Sequence, residues 1–524
     1  MRLFPYRREI GWRSRATDAA VGALGVLGFA PFGLWPATLL CFALFLLRLR
    51  EHTEPYRGTS TGFWTGMGWF GAGLFWIASA FFERGPEYVP LVVPLVLGLF
   101  VLLSLFWAWA GRVYVMIAPR DALAAPLFAS LMFIAEFTRG HLFGGFPWNL
   151  PGYAWAAGSP MSQAASVIGV YGLSYLMMLA GGLLALAWEK RRARSPAFAG
   201  AALVLLAGLW GFGAWRLSGA EIEHVEGTRL RLVHVPFRQS EMMDPDTALG
   251  LTNRYFTATL DRPLDGVTHV VWPEGAVRGV AVDDLEFLSV FPLYVEDPPP
   301  FLFSSIRVER TPTRGLEAFN SSVAVAYPDR APAVVGWSDK HRLVPFGEIV
   351  PFEGLLSRIG LEAIAASFTP APDKSPVTFA GLPRASVQIC YEIIFPGLTE
   401  GNPELILNQS NDAWFGHTTG PAQHAAIAAM RAVEEGIPVV RAAANGTSGT
   451  IDPWGRWTAR IQADEEASLD VAVPRPLAGT PYGRLTNVIL LVIGFLVTVF
   501  TIIVGRSGMR GADRNSRGEV TFDS

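Results

Sequence analysis

The stretch Ala385-Ser386-Val387-Gln388-Ile389-Cys390-Tyr391-Glu392 decides the fold of the second half of the chain. Its first five residues form a short, largely apolar run of the kind that makes a buried β-strand. Cys390 follows the run directly. Because functional side chains concentrate where strands end in loops, this cysteine is a candidate for chemistry. An inert buried cysteine is the other interpretation that the stretch allows.

Similar runs recur on both sides of it and alternate with helical or irregular stretches. They read RLRLVHVPF (229–237), GVTHVVWP (266–273), SSVAVAYP (321–328), ELILNQS (404–410) and IPVVRAAAN (437–445), and residues 421–435 have a helical pattern. Apolar strands followed by helices are typical of a sheet that helices cover. We therefore expect an α/β domain at residues 226–475.

The rest of the chain is too apolar for a soluble protein. The 524 residues are 51% hydrophobic and 17% charged, against roughly 25% charged in soluble domains. A membrane crossing needs about 20 apolar residues of helix. This predicts a membrane domain at 1–217 with seven crossings and an eighth crossing after the α/β domain, at approximately 17–32, 34–48, 61–82, 89–117, 122–138, 162–188, 198–217 and 485–505. A signal peptide is the alternative for the first run, and the further runs favour a retained anchor.

Charges in the loops predict the orientation. Short loops rich in Lys and Arg stay in the cytoplasm, and basic residues fill the N-terminal tail and alternate loops, at 48–57, 112–120, 190–194 and 506–517. Seven crossings that start inside would place residues 226–475 on the outer side of the membrane. The tail, 506–524, would then be cytoplasmic.

Composition also excludes several functions. With 42 Lys+Arg against 45 Asp+Glu the net charge is −3, so nucleic acid is an unexpected partner. Two cysteines, Cys41 and Cys390, allow neither a disulfide framework nor a cysteine-rich metal site. His417 and His424 lack the carboxylate–histidine spacing of a metalloenzyme, so we expect no metal and no cofactor.

Two further strand ends carry charged residues. Glu274 follows Val270-Val271-Trp272-Pro273, and Lys340 precedes a second glutamate, Glu348, by eight residues. Each alone could be a solvated loop charge. A thiol, however, needs a base to become a thiolate, and a tetrahedral intermediate needs a positive group or N–H donors for its oxyanion. Glu, Lys and Cys at three strand ends together therefore favour a catalytic site.

The order of these motifs resembles a known family. Trp-Pro-Glu (272–274), Lys-x-x-Leu-Val-Pro-Phe-Gly-Glu (340–348), Ile-Cys-Tyr-Glu (389–392) and Asn-Asp-Ala-Trp-Phe-Gly (411–416) are similar to the nitrilase, or carbon–nitrogen hydrolase, superfamily. Set between membrane helices, the chain resembles the apolipoprotein N-acyltransferase family over nearly its whole length. Gly28-Phe29-Ala30-Pro31-Phe32 and Gly144-Gly145-Phe146-Pro147-Trp148 agree with this resemblance.

The resemblance implies a fold and roles for single residues. It implies an α-helical integral membrane domain of about eight transmembrane helices plus a nitrilase-like αββα sandwich. Cys390 would be the nucleophile and Glu274 the general base and later acid. Lys340 would stabilise the oxyanion together with the backbone N–H of Tyr391. Residues matched to substrate-binding or supporting positions are Glu348, Tyr391, Glu392, Trp414, Trp148 and Asn320.

The resemblance also implies a reaction in the bacterial inner membrane, with the catalytic domain in the periplasm. An acyl chain would pass from a phospholipid, expected to be phosphatidylethanolamine, through a Cys390 thioester to the α-amino group of the diacylglyceryl-cysteine of an apolipoprotein. The phospholipid, the diacylated apolipoprotein and the bilayer are thus the expected partners. Two alternatives remain, namely a membrane-tethered amidase or nitrilase that gives the thioester to water, and a catalytically dead scaffold.

Several positions depart from the family pattern or allow two interpretations. Where the family has a tryptophan, this chain has Met242-Met243 and lacks it. Gly275 stands where a residue with a small side chain is commoner, which predicts a looser turn after Glu274. The G-x-G-x-x-G match at 66–71 lies in an apolar run, which favours helix packing over dinucleotide binding. Glu136 and Arg139 are expected to form a structural pair, with a headgroup contact as the alternative.

Overall fold

A computed structural model of the chain describes residues 11–119, 121–189, 195–311, 315–349 and 368–517. The basic stretch 190–194 and the end of the tail, 518–524, lie outside the described residues. The chain divides into two compact units. We call them the helical unit (1–78, 89–216 and 485–524) and the sheet unit (79–88 and 217–484).

Helices account for most of the first 218 residues. They are α1 (Trp12–Gly25), α2 (Trp35–Arg50), α3 (Pro55–Leu74), α4 (Ile77–Arg84), α5 (Leu97–Ile117), α6 (Asp121–His141), α7 (Ala165–Trp188) and α8 (Ser195–Ser218). A C-terminal helix runs over Pro481–Arg517 and has a break at Leu485. The predicted helical nature of this part of the chain is confirmed.

Among the described residues, four helices are long and apolar enough to cross a membrane. They are Pro86–Ile117, Ala122–Gly144, Ala165–Trp188 and Ser195–Ser218. The pair α3 and α4, bent by 47°, makes a fifth if it counts as one span. Helices α1 and α2 have 14 and 16 residues, which is shorter than a bilayer core requires. The chain is a membrane protein, and the count of eight crossings stays a prediction.

Small residues bring α3 close to α5. A Cβ at Gly58 would lie 2.4 Å from the carbonyl oxygen of Gly111, and one at Gly62 would lie 2.2 Å from that of Trp107. At Gly66, a Cβ would lie 3.0 Å from Ser104. Three glycines at spacings of four residues therefore allow the two backbones to touch, as small residues do in membrane helices. Gly66, the first glycine of the 66–71 match, thus serves helix packing.

Glu136 and Arg139 form a buried pair in α6. The two side chains are in contact, and the carboxylate also accepts a 2.7 Å hydrogen bond from the indole Nε1 of Trp107. Arg139 donates in addition to the carbonyl oxygen of Phe146, which follows the helix. Charges this deep in protein require such partners. The contacts agree with the structural pair expected from the sequence.

Two β-sheets form the centre of the sheet unit. The first has six strands in the order β11-β1-β2-β3-β4-β5 and the second has five in the order β10-β9-β8-β7-β6. Their bounds are β1 His224–His234, β2 His269–Val271, β3 Phe301–Thr311, β4 Gly315–Ala326, β5 Ala333–Asp339, β6 Ala385–Ile389, β7 Leu405–Asn411, β8 Val439–Ala444, β9 Ser448–Ile451, β10 Trp457–Ile461 and β11 Ala467–Pro474. Strands β1, β2 and β3 are parallel, as are β6, β7 and β8.

The two sheets pack face to face through one apolar cluster. Leu230, Leu232 and Leu302 of the first sheet lie in the same cluster as Val387, Leu405 and Val440 of the second. On its other face the first sheet contacts four helices, α9 (Gln239–Met243), α10 (Pro245–Thr259), α11 (Leu285–Leu288) and α12 (Phe291–Tyr294). Helix α13 (Gly420–Glu435) contacts β8 of the second sheet and the turn after β6. The prediction that a domain with β-sheets follows the helical part of the chain is confirmed.

Candidate active site

The three charged or nucleophilic candidates all lie directly after strands. Glu274 comes three residues after β2, Lys340 follows the last residue of β5, and Cys390 follows the last residue of β6. Pro273 cannot donate a hydrogen bond to a sheet, which helps to end β2. Ligands and substrates of open α/β sheets bind outside the carboxyl ends of the strands. The topology therefore brings the sequence candidates to one place.

Lys340, Glu274, Glu348 and Asn320 form a connected polar cluster. The Nζ of Lys340 lies 2.8 Å from Oε1 of Glu348 and 3.5 Å from Oε1 of Glu274. The Nδ2 of Asn320, on β4, donates to the same two oxygens, at 2.8 Å each. Lys340 is 1% exposed and the two carboxylates are 14% and 12% exposed. The site therefore holds two carboxylates against one ammonium and one amide.

Cys390 has an unusual backbone. Its φ is +48°, a left-handed conformation that non-glycine residues seldom adopt and that costs about 1–3 kcal/mol. The thiol is buried, and its Sγ lies 4.0 Å from the carbonyl oxygen of Asn411, the last residue of β7. The N–H of Asn411 donates to Oε2 of Glu274 at 3.1 Å. One residue thus contacts both the thiol and the carboxylate.

The charges of the cluster set the protonation of the thiol and the amine. Burial and the nearby carboxylate of Glu274 raise the pKa of the Cys390 thiol, and Lys340 offsets this only in part. Burial alone would lower the pKa of Lys340, but Glu274 and Glu348 raise it above its usual value. At neutral pH the site therefore holds a thiol beside an ammonium. A base has to remove the thiol proton before sulfur can attack.

Glu392 holds the loops that carry the lysine and the cysteine. Its Oε2 accepts from the N–H of Ile389 at 2.8 Å, and its Oε1 accepts from the N–H groups of His341 and Arg342 at 2.9 and 3.0 Å. Oε1 also contacts the ammonium of Lys374. The carboxylate is fully buried and both of its oxygens accept hydrogen bonds. It therefore connects the loop after β5 to the turn after β6.

The remaining sequence candidates lie in different places. Tyr391 follows the cysteine, and its ring packs edge-on against Phe395 with centroids 5.0 Å apart. Trp414 lies half-buried in the turn that follows β7. Trp148 belongs to the helical unit, where it is buried and its ring lies 4.6 Å from that of Trp76. The structure thus places every candidate except Trp148 in the sheet unit.

The looser turn expected after Glu274 stays a prediction, and the structure shows why glycine fits at position 275. Its φ is +81°, and a Cβ there would lie 2.6 Å from the Nδ2 of Asn411. That Nδ2 donates to the buried Gln239 at 2.9 Å. Glycine therefore lets the side chain of Asn411 approach the backbone next to Glu274. Near the absent tryptophan, Met242 packs on the apolar core and Met243 is 41% exposed.

A second polar cluster lies behind the cysteine, and sequence reasoning missed it. Asp412 and Arg441 are fully buried and form a 2.6 Å ion pair, and His424 lies 2.8 Å from the other oxygen of Asp412. The Nε2 of His424 lies 3.2 Å from the carbonyl oxygen of Cys390. The sequence did carry a signal for this cluster, because Asp412, His424 and Arg441 are ionisable residues within or next to runs that have the apolar pattern of a buried strand or helix.

No group of three or more His, Cys, Asp or Glu side chains in the part of the chain that the structure describes could hold a metal ion. His417 pairs with Asp464 at 3.5 Å, and both are exposed. His424 is occupied by the buried ion pair described above.

Comparison with known sequences identifies the class of each part. The profile of the carbon-nitrogen hydrolase family matches residues 306–480, so the sheet unit carries a carbon–nitrogen hydrolase domain. The profile described as the apolipoprotein N-acyltransferase N-terminal domain matches residues 21–183. Together with the relatives below, these matches show that the chain belongs to the apolipoprotein N-acyltransferase family, which confirms the resemblance seen in the sequence.

Relatives match over nearly the whole length. Apolipoprotein N-acyltransferase of Caulobacter vibrioides is 34% identical over 92% of this chain and 93% of its own. Those of Bradyrhizobium diazoefficiens and Rhodopseudomonas palustris are 32% and 30% identical, each over 94% of this chain and 95% of their own. Among solved structures, a glutamine-dependent NAD+ synthetase from Acinetobacter baumannii is 14% identical over 46% of this chain and 45% of its own, with a TM-score of 0.32.

Proposed function

We propose that this protein transfers a fatty acyl chain from a phospholipid to the α-amino group of the N-terminal diacylglyceryl-cysteine of apolipoproteins, through a thioester on Cys390. Family membership supports lipoprotein N-acylation. The observation that carries the catalytic assignment is the double contact of Asn411, which holds Glu274 by its N–H and the Cys390 thiol by its carbonyl oxygen. Base and nucleophile are thereby held against the same residue.

In the first half-reaction Glu274 takes the proton of the Cys390 thiol, and sulfur attacks the carbonyl carbon of a phospholipid ester. The tetrahedral intermediate collapses with cleavage of the C–O bond. Glu274 returns the proton to the leaving oxygen, so a lysophospholipid departs and a thioester remains. A base is needed here because burial keeps the pKa of the thiol above its usual value.

In the second half-reaction the free amine of the diacylated lipoprotein attacks the thioester. Glu274 accepts a proton from the amine, the C–S bond breaks, and the thiolate recovers that proton. The product is an amide, and the enzyme returns to its starting state. Because lysophospholipid leaves before the lipoprotein reacts, the kinetics are of the ping-pong type.

Lys340 supplies positive charge to the oxyanion. An ammonium has three N–H bonds, and Glu274 and Glu348 account for two of them. The third is directed by the first two, so the charge is positioned before the substrate arrives, which is how preorganised donors lower a barrier. The backbone N–H of Tyr391 is the second donor. Asn320 fixes both carboxylates through its Nδ2.

Loop charges support the orientation proposed for this protein, and family membership supports its setting. We place the protein in the bacterial inner membrane with eight crossings, the sheet unit in the periplasm and the tail in the cytoplasm. Phosphatidylethanolamine is the proposed acyl donor. Both substrates are lipids or lipidated, which accounts for a hydrolase-like domain on a membrane anchor.

The test uses the full chain in detergent with phosphatidylethanolamine that is radiolabelled in its acyl chain. Without acceptor we expect label to stay on the protein, and with a synthetic diacylated lipopeptide we expect it to move to the lipopeptide. Cys390→Ala should do neither. Rapid release of free fatty acid without acceptor would instead favour a hydrolase, and acylation of the lipopeptide by Cys390→Ala would overturn the proposed nucleophile.

A further inference from the structure

The buried cluster of Asp412, His424 and Arg441 contacts the turn that carries Cys390 through a hydrogen bond of His424. His424 belongs to α13 and is fully buried. Its Nε2 lies 3.2 Å from the carbonyl oxygen of Cys390. A carbonyl oxygen only accepts hydrogen bonds, so this nitrogen carries a proton and donates. The histidine therefore binds the backbone of the nucleophile.

The other ring nitrogen anchors the histidine. The Nδ1 lies 2.8 Å from Oδ1 of Asp412, whose Oδ2 accepts from Arg441 at 2.6 Å, and Ser410 donates to the same Oδ1 at 2.7 Å. Arg441 donates also to Asn408 on β7 and to the carbonyl oxygen of Thr447 at 3.2 Å. These contacts favour one orientation of the ring, because turning it would break the contacts of its two nitrogens with Asp412 and with the Cys390 carbonyl oxygen.

The carbonyl group of Cys390 and the N–H of Tyr391 belong to one peptide. That peptide is trans and planar, so its C=O and N–H point in opposite directions. A donor that fixes the direction of the oxygen therefore also fixes the direction of the N–H. This matters here because Cys390 has a φ of +48°, a conformation that surrounding contacts have to hold in place.

We propose that His424 is a positioning residue for acyl transfer, and that it aims the Tyr391 N–H at the oxyanion by hydrogen bonding to the carbonyl oxygen of Cys390. The inference rests on the proposed function, since it assumes that Cys390 is acylated and that the Tyr391 N–H binds the oxyanion. Asp412 and Arg441 act one step further away, by fixing the ring of His424.

The test compares two variants of the same residue. In His424→Gln the amide nitrogen reaches about as far as Nε2, so it can still donate to the Cys390 oxygen. In His424→Asn the shorter amide can occupy only the place of Nδ1, so it can contact Asp412 but not Cys390. Both variants leave the pair of Asp412 and Arg441 intact. Each is made in the full chain and purified in detergent.

Two reactions of Cys390 are measured for each variant. Acylation by phosphatidylethanolamine passes through an oxyanion. Alkylation by iodoacetamide forms a C–S bond at a saturated carbon, with release of iodide and of the thiol proton. No oxyanion forms in this second reaction. We expect His424→Asn to slow acylation about 100-fold, the size of effect that a 1 Å misplacement produces. Its alkylation should stay close to the wild-type rate. His424→Gln should acylate within about tenfold of wild type, since it keeps one neutral hydrogen bond.

The possible results separate the inference from the proposed function. If wild-type Cys390 is acylated and Cys390 of His424→Asn is acylated at the same rate, the inference is overturned and the proposed function stands. Parallel loss of acylation and alkylation in His424→Asn, without recovery in His424→Gln, also overturns it, because the histidine would then only support the fold. If wild-type Cys390 is alkylated but never acylated, the proposed function fails and the inference fails with it.

Discussion

The Nζ of Lys340 lies 2.8 Å from Oε1 of Glu348 and is closer to it than to Oε1 of Glu274, at 3.5 Å. Glu348 is therefore the nearer of the two carboxylates to the ammonium. One buried lysine thus contacts two carboxylates, Glu348 and the proposed base Glu274. Four predictions follow from this cluster and from its surroundings.

Glu348→Gln should slow acylation of Cys390 about 10- to 100-fold, because a hydrogen bond to a charged group contributes about 1.5–3 kcal/mol. The glutamine keeps the shape of the side chain, so the fold should persist. The matched control is Glu309→Gln, which removes the charge of an exposed glutamate paired with Arg307. Acylation rates measured with labelled phospholipid check this, and equal rates for the two variants would refute the role given to Glu348.

Glu274→Gln should make the thiol more acidic while it abolishes acyl transfer. The carboxylate raises the pKa of Cys390, second only to burial, so its removal shifts thiolate formation to lower pH. The measurement is the rate of iodoacetamide alkylation as a function of pH. The profile of the variant should lie at lower pH than that of wild type. A profile that moves to higher pH would mean that Glu274 does not oppose ionisation of the thiol.

Gly275→Ala should lower activity more than Gly266→Ala does. Both glycines have positive φ, +81° and +74°, but a Cβ meets Asn411 at 2.6 Å in the first case and nothing within 4 Å in the second. The backbone strain of about 1 kcal/mol is common to both. Displacement of Asn411 is specific to Gly275→Ala and should disturb the base and the thiol together. Similar acylation rates in the two variants would contradict this account.

Asp412→Asn should change how stability depends on pH. Burial alone would raise the pKa of Asp412, but Arg441 and His424 lower it from 3.8 to about 2. A lowered pKa means that the carboxylate stabilises the fold above about pH 4 and that this contribution, about 2 kcal/mol, is lost as the pH falls towards 2. The difference in unfolding free energy between wild type and Asp412→Asn should therefore narrow over this range. A constant difference would show that the carboxylate has no such role.

The apolar runs quoted from the sequence correspond to β1, β2, β4, β6, β7 and β8, because these strands are short and bounded by Pro, Gly or charged residues. The sequence analysis did not single out β3, β5, β9, β10 and β11. It did place Glu274, Lys340 and Cys390 at strand ends. The number of crossings is harder to predict from hydropathy, which reports the length of an apolar run. The structure gives α1 and α2 only 14 and 16 residues.

The contacts of Asn411 with Glu274 and Cys390 could not be predicted from the sequence. They use the backbone of Asn411, which has the same N–H and C=O groups as other residues. The close approach at Gly275 was hidden for a related reason, since the conformational freedom of glycine is visible in the sequence but the nearby side chain of Asn411 is not. The buried Asp412, His424 and Arg441 lie on three separate elements. Only the fold brings their charges together.

Mass spectrometry of peptides from the purified protein tests most directly the proposal that Cys390 carries the acyl group. Purified full chain is incubated with phosphatidylethanolamine of defined acyl chains and then digested. The account predicts the mass of one acyl chain on the peptide that contains Cys390, lost on treatment with hydroxylamine or on addition of a diacylated lipopeptide. An unmodified Cys390 peptide from protein that still acylates the lipopeptide would contradict it.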